Sequence, residues 1–231
     1  RVLKLFGIGE SLVDERLRDL IELGTNPTIG LLAHTQIGEI HIRLTAKATE
    51  RSQAEILNAS LEAKIRERLQ KFIFGVDGET YEGVLSSDLR KAGLTLSVAE
   101  TAFGSSIIQM LKLMEWSADF FRLGVTVVGP EMAHKLISMP TSLWNEENSV
   151  SAEMAKVLAE GVRRLAGSDL GLGITGQVGR GKDRDHLIYI ALAEAGGTHC
   201  VEQRWPSAMG FIENRMTKMA LAEVRKRLLR N

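Results

Sequence analysis

Cysteine is nearly missing from this chain: Cys200 stands alone. No intrachain disulfide can form, and a reducing, cytoplasmic setting is the expectation. Net charge is missing too, since 29 Lys and Arg balance 29 Asp and Glu. No global field draws the protein to nucleic acid or to a membrane surface, which leaves only local patches to consider. No apolar run is long enough to span a bilayer and no signal peptide is visible, so no membrane partner is expected. An initiator Met is absent as well. The chain opens at Arg1, inside a strand-like run, and reads as a piece of something longer.

What is present suits an ordinary globular protein. The 231 residues are 44% hydrophobic and 25% charged, enough for one or two domains with a substantial core. Val2 to Phe6 reads as a strand. Gly7-Ile8-Gly9-Glu10-Ser11 follows, without the third glycine of a dinucleotide fingerprint, so no such cofactor is expected. Ser11 reads as the N-cap of a helix carrying Leu12, Leu17, Leu20 and Ile21 and stopping before Gly24. Two strands, Thr28 to His34 and Glu39 to Ala46, flank a turn at 36–38. In the second, Ile40, Ile42 and Leu44 alternate with His41, Arg43 and Thr45, one face buried and one wet. A helix with the stripe Leu57, Leu61, Ile65, Leu69 and Phe72 closes the segment near Gly75. His34 and His41 look isolated, with no second ligand at a useful spacing, so no metal is expected. The basic residues Arg43, Lys47, Arg51, Lys64, Arg66 and Arg68 are interleaved with acidic ones, which favours a solvated face over nucleic-acid binding.

Asp77-Gly78-Glu79 marks the expected boundary, giving domains 1–76 and 77–231. Strands and helices alternate after it, so a three-layer α/β/α domain is expected behind a small α+β domain of order β-α-β-β-α. The second domain is organised around Leu94 to Ser105. Leu94, Leu96 and Val98 alternate with Thr95 and Ser97, the strand breaks at Glu100-Thr101, and Ile107, Ile108, Leu111 and Met114 continue at helical spacing. A strand entering a helix N-terminus offers free N–H groups to an anion, and a hydroxyl there can be a nucleophile. On residue type alone Thr101, Ser105 and Ser106 read first as helix caps, which are far commoner than active-site hydroxyls. Pro130 fits a helical first turn and Ser151 an N-cap. In Leu170 to Gly176 the glycines at 171 and 173 leave one strand face bare for close approach by a helix or another backbone. Thr175 ends that strand as Thr101 ends its own, which suggests a shared pocket, because ligands of such sheets gather at strand carboxyl ends. Arg180, Lys182 and Arg184 form a positive cluster that is either surface or a phosphate cradle.

These residues resemble the CinA (competence/damage-inducible) family along essentially the whole chain. Gly7 to Ser11, Asn26-Pro27-Thr28 and Ile42 to Ala46 resemble its KH-type middle domain. Ala99-Glu100, Val150 to Glu153, Ala159-Glu160-Gly161, Gly173 to Gly176 and Tyr189 to Leu192 resemble its C-terminal domain, which also occurs alone as nicotinamide mononucleotide deamidase. The resemblance implies a cytoplasmic homodimer in pyridine nucleotide metabolism, with nicotinamide mononucleotide or a related nucleotide as ligand and no cofactor or metal. It implies catalytic positions at Thr101 and Thr175, and substrate-binding positions at Glu100, Gly104, Ser105, Gly176, Arg180 and Arg215. The family's N-terminal domain, an ADP-ribose pyrophosphatase, would precede Arg1.

The departures bear on activity. The family motif Ala-Glu-Ser-Cys-Thr-Gly-Gly reads Ala99-Glu100-Thr101-Ala102-Phe103-Gly104-Ser105 here. Thr101 keeps a hydroxyl but adds a methyl, and Phe103 takes up space that a substrate needs. The family's tyrosine falls on Val128 and its activating lysine on Ala133. Lys135 lies two residues on, roughly 200° round the helix. A hydroxyl nucleophile needs such a base. The glycine-rich substrate loop survives only as Thr175 to Arg180. Arg215 matches one of two family arginines, and Phe211 replaces the other. The expectation is a degenerate deamidase domain kept for binding, dimerisation or regulation. The alternative is an active amidohydrolase that uses Thr101. Nucleic-acid binding through the KH-like part is a third, poorly supported reading, because the glycine-bearing clamp loop of true KH domains is missing.

Overall fold

The computed structural model describes residues 1–101, 106–145, 148–179, 185–206 and 212–229. By contacts the chain divides into two compact units, Arg1–Val84 and Leu85–Asn231, with the division inside a helix.

In the first unit the elements are β1 (Val2–Phe6), α1 (Glu10–Leu23), β2 (Thr28–His34), β3 (Glu39–Thr45), α2 (Arg51–Leu69) and β4 (Ile73–Val76). They build an antiparallel sheet of order β2-β3-β1-β4. The alternation in β3 has the expected effect: Ile40, Ile42 and Leu44 are buried with Leu3, Leu5, Val13, Leu17, Leu61, Ile65 and Leu69. Three local expectations are corrected. Gly9, not Ser11, precedes α1, and no side chain caps that helix. Val13 takes the buried place, while Leu12 is exposed. The last long helix ends at Leu69, a 3-10 turn spans Gln70–Phe72, and Ile73–Val76 adds a fourth strand beside β1. The order is therefore β-α-β-β-α-β.

The histidines are not isolated either. Pairing of β2 with β3 brings the rings of His34 and His41 to 4.1 Å between centroids, and His41 Nε2 lies 2.8 Å from Glu39 Oε2. Among the described residues, no group of three or more His, Cys, Asp or Glu is arranged to hold a metal ion.

The second sheet has the order β6-β5-β7-β8-β9. It comprises β5 (Leu96–Glu100), β6 (Phe121–Thr126), β7 (Leu170–Gln177), β8 (His186–Glu194) and β9 (Gly197–Trp205). β5, β6 and β7 run parallel, and β8 and β9 add antiparallel neighbours. The helices are α3 (Tyr81–Ala92), α4 (Ser106–Leu113), α5 (Ser117–Phe120), α6 (Pro130–Ile137), α7 (Ala152–Ala166) and α8 (Ile212–Leu228).

Residues opposite one another in register share a face. Val98, Gly124 and Leu172 line one face, and Ala99, Val125 and Gly173 the other. α4 covers the first, since a Cβ on Gly124 would meet the Ile108 side chain at 2.6 Å. α8 packs beside α4 against β7 and β8. α6 and α7 cover the second face, where Ala99, Val127, Ala133, Ile137, Met154, Leu158 and Val162 form a core. This is the three-layer α/β/α arrangement.

The bare glycine face in β7 is filled by α7. A Cβ on Gly171 would stand 2.1 Å from the Ala159 carbonyl oxygen, and one on Gly173 would stand 2.1 Å from that of Ala155. α7 is set by its ends. Ser151 Oγ accepts from the Met154 N–H at 3.1 Å, and Gly167 closes the helix at φ 60°.

Candidate functional site at the carboxyl ends of β5 and β7

The chain leaves β5 for α4 on one face, and leaves β6 for α6 and α7 on the other. In open α/β sheets ligands bind where such connections diverge, outside the strand carboxyl ends. Glu100, Thr101 and Thr126 stand at this place, with Thr175 and Gly176 on the neighbouring strand.

Thr101 and Thr175 are brought together. The Thr101 hydroxyl donates to Thr175 Oγ1 at 2.9 Å, and Thr175 donates in turn to the Ser149 carbonyl at 2.6 Å. The Thr101 N–H is held by the Ile174 carbonyl at 3.0 Å. The hydroxyl relay thus ends on a backbone carbonyl, which cannot take up a proton. Among the described residues, no lysine or histidine is hydrogen bonded to Thr101. Lys112 and Lys135 are both exposed, and His134 is engaged with the Met139 carbonyl. Val128, at the position of the family tyrosine, is 85% exposed.

Glu100 is one residue away and points to the opposite face of the sheet, following Val98 in the two-residue alternation. Its side chain is fully buried, and neither carboxylate oxygen makes a hydrogen bond. Burial raises its pKa from 4.5 to about 7, and the Thr126 hydroxyl across the strand pair pulls the other way.

Gly176 is half-buried in β7, and Arg215 is half-buried near the start of α8. Gly104, Ser105, Arg180 and also Phe103 lie outside the described residues. The sequence reading passed over His186. That side chain is buried at the start of β8, where its Nδ1 accepts from the Gly179 N–H at 3.1 Å and holds the chain just beyond β7. Its signal was a histidine opening an apolar strand, a pattern without chemical specificity. Asp169 was passed over too. It accepts from the N–H and hydroxyl of Thr95 at 2.8 and 2.6 Å and ties the starts of β5 and β7 together.

A layered α/β domain with hydroxyls and a carboxyl at the strand ends, behind a small four-stranded unit, is the class of protein defined here. Family descriptions agree with it. That of the damage-inducible protein CinA KH domain matches residues 1–75, and that of the CinA C-terminal domain matches residues 78–228. The chain belongs to the CinA family. It is 38% identical over 218 residues to a competence-damage inducible protein of Moorella thermoacetica, covering 93% of this chain and 51% of that protein. It is 33% identical over 233 residues to a CinA-like protein of Kosmotoga olearia, covering 99% and 56%. The chain therefore spans about half the length of these curated relatives. The crystal structure of a CinA superfamily protein from Enterobacter cloacae matches with a TM-score of 0.57 at 22% identity, over 67% of this chain and 96% of that one. A competence or damage-inducible protein from Enterobacter asburiae gives 0.56 at 24%, over 65% and 99%. At these identities the likeness is one of fold. No helix among the described residues is long and apolar enough to cross a membrane.

Proposed function

We propose that the second unit is a nicotinamide-nucleotide amidase-like domain that has lost hydrolysis and retains a binding, dimerisation or regulatory role. The observation that carries this reading is the state of Thr101. Its hydroxyl proton is committed to Thr175, whose own proton is committed to the Ser149 carbonyl. A threonine hydroxyl is a weak nucleophile unless a base takes its proton, and Glu100, the nearest carboxyl in sequence, faces the other side of the sheet. A cytoplasmic homodimer is the setting that goes with this reading.

The test is ammonia release from nicotinamide mononucleotide, with Thr101→Ala as control. The expected result is no turnover by either folded protein. Turnover that Thr101→Ala abolishes would replace this reading with a threonine-based amidohydrolase producing nicotinic acid mononucleotide. Binding of the nucleotide without turnover would identify the retained role as ligand recognition.

A further inference from the structure

The first unit holds a cavity of about 380 Å³ between α1 and α2. Four leucines line it, Leu20 and Leu23 from α1 and Leu57 and Leu61 from α2. Leu61 belongs to the core, while Leu23 is 81% exposed. This volume and lining suit a small ligand with an apolar body. The polar lining carries both signs. The negative one is the carboxyl end of α1. Gly24 follows that helix in an extended conformation, and its last turn holds no basic residue. Among the described residues, no backbone N–H beyond Leu23 returns to its last carbonyls. The negative end of the helix dipole is thus left without a cap. A Cβ on Gly24 would stand 2.5 Å from the Leu20 carbonyl oxygen and 3.4 Å from that of Pro27, so the bare glycine leaves room beside two acceptors. The positive lining is Lys64, with Ser60 one turn before it on α2, both exposed. Lys64 has no ion pair among the described residues. The other polar side chains of the cavity are engaged. Two nitrogens of Arg68 hold the Asp19 carboxylate, one at 2.9 Å, and Asn26 exchanges two 2.8 Å bonds with the Lys47 backbone.

We propose that this cavity binds a free α-amino acid with an aliphatic side chain. The ammonium donates to the uncapped carbonyls at the end of α1. The carboxylate accepts from Lys64 Nζ and the Ser60 hydroxyl, and the side chain lies among the four leucines. Each part of the ligand answers one part of the lining, so selectivity comes from carrying all three. An aliphatic amine leaves Lys64 unmet, and an aliphatic acid brings nothing to the negative end of α1. The site belongs wholly to the first unit and does not rest on the reading of the second.

The probes are L-leucine, 4-methylpentanoate, which lacks its ammonium, and 3-methylbutylamine, which lacks its carboxylate. Each is titrated into the whole chain carrying labelled leucine methyls, and methyl spectra are recorded. L-leucine should shift the signals of Leu20, Leu23, Leu57 and Leu61 and leave that of Leu172, in the second sheet, in place. Each truncated probe should bind at least about threefold more weakly. Lys64→Glu should weaken L-leucine at least about fivefold and leave the amine no weaker than before. Ser60→Trp, a bulky group on an exposed position, should fill the cavity and abolish the shifts while melting stays unchanged. The proposal is overturned if L-leucine moves none of the four signals up to about 10 mM. It is overturned equally if either truncated probe binds as tightly as L-leucine, or if Lys64→Glu leaves the L-leucine affinity unchanged. Shifts that persist in a folded Ser60→Trp protein would place the ligand elsewhere and overturn it too.

Discussion

Thr101 donates its hydroxyl to Thr175 at 2.9 Å, across 74 residues of sequence, and the second threonine passes the bond on to Ser149. The order of the relay sets its energetics. Thr175→Val removes the middle and leaves a buried carbonyl and a hydroxyl without their partner, at a cost of about 1–3 kcal/mol. Thr101→Ala removes only the end and should cost less, about 1 kcal/mol or below. Urea denaturation of both variants checks the ranking. The reverse ranking would mean that the relay is broken in solution.

Glu100 makes stability depend on pH in a known direction. Its carboxyl is neutral in both folded and unfolded chains below about pH 4.5. The unfolded form ionises first as pH rises, because the folded value is lifted to about 7. Stability should therefore fall between about pH 4.5 and 7 and level off above, by roughly 3 kcal/mol at most. Glu100→Gln should lack that decline and be the more stable protein at pH 8. Melting curves across the range test this, and parallel profiles for the two proteins would count against a buried, unpaired carboxyl.

Gly173 admits no side chain. A methyl there would stand 2.1 Å from the Ala155 carbonyl oxygen and 2.4 Å from the Ala159 nitrogen, both backbone. Neither atom moves without shifting α7, so Gly173→Ala should cost more than about 3 kcal/mol or prevent folding. A loss below about 1 kcal/mol in denaturant would show that α7 yields easily.

The clamp between Thr95 and Asp169 is predicted to matter at neutral rather than acid pH. The Thr95 hydroxyl, then its N–H, holds the Asp169 carboxyl below its usual range. A depressed carboxyl stabilises the fold above its unfolded pKa, and that contribution disappears as pH falls through the folded value. Asp169→Ala should cost about 1–2 kcal/mol at pH 7 and much less near pH 2. Equal losses at both would assign the effect to packing.

Several of these features were readable before any coordinates. The alternation of β3, the cap at Ser151 and the paired glycines of β7 each belong to a local pattern with one dominant physical cause. The meeting of Thr101 and Thr175 followed from strand ends in a layered sheet. What was not readable depends on distant partners. Ile73–Val76 continues the helical spacing of Leu69 and Phe72, and becomes a strand because β1 offers it an edge. His34 and His41 are separated by a turn, and only the register of β2 on β3 stacks them. Glu100 stood out as a motif residue, but its lack of any partner is a property of all its neighbours at once.

The sheet of the second unit joins two kinds of pairing, and this sets an order of assembly. β8 and β9 meet across a two-residue turn, with Glu194 opposite Gly197, so their contacts close early and locally. β5 pairs with β7 only across 74 residues, with Leu96 opposite Leu170. The hairpin is therefore expected to form before the β5–β7 pairing that carries Glu100 and Thr101. Amide hydrogens of β8 should acquire protection from exchange before those of β5, so that a chain interrupted during folding holds the hairpin without the meeting of Thr101 and Thr175.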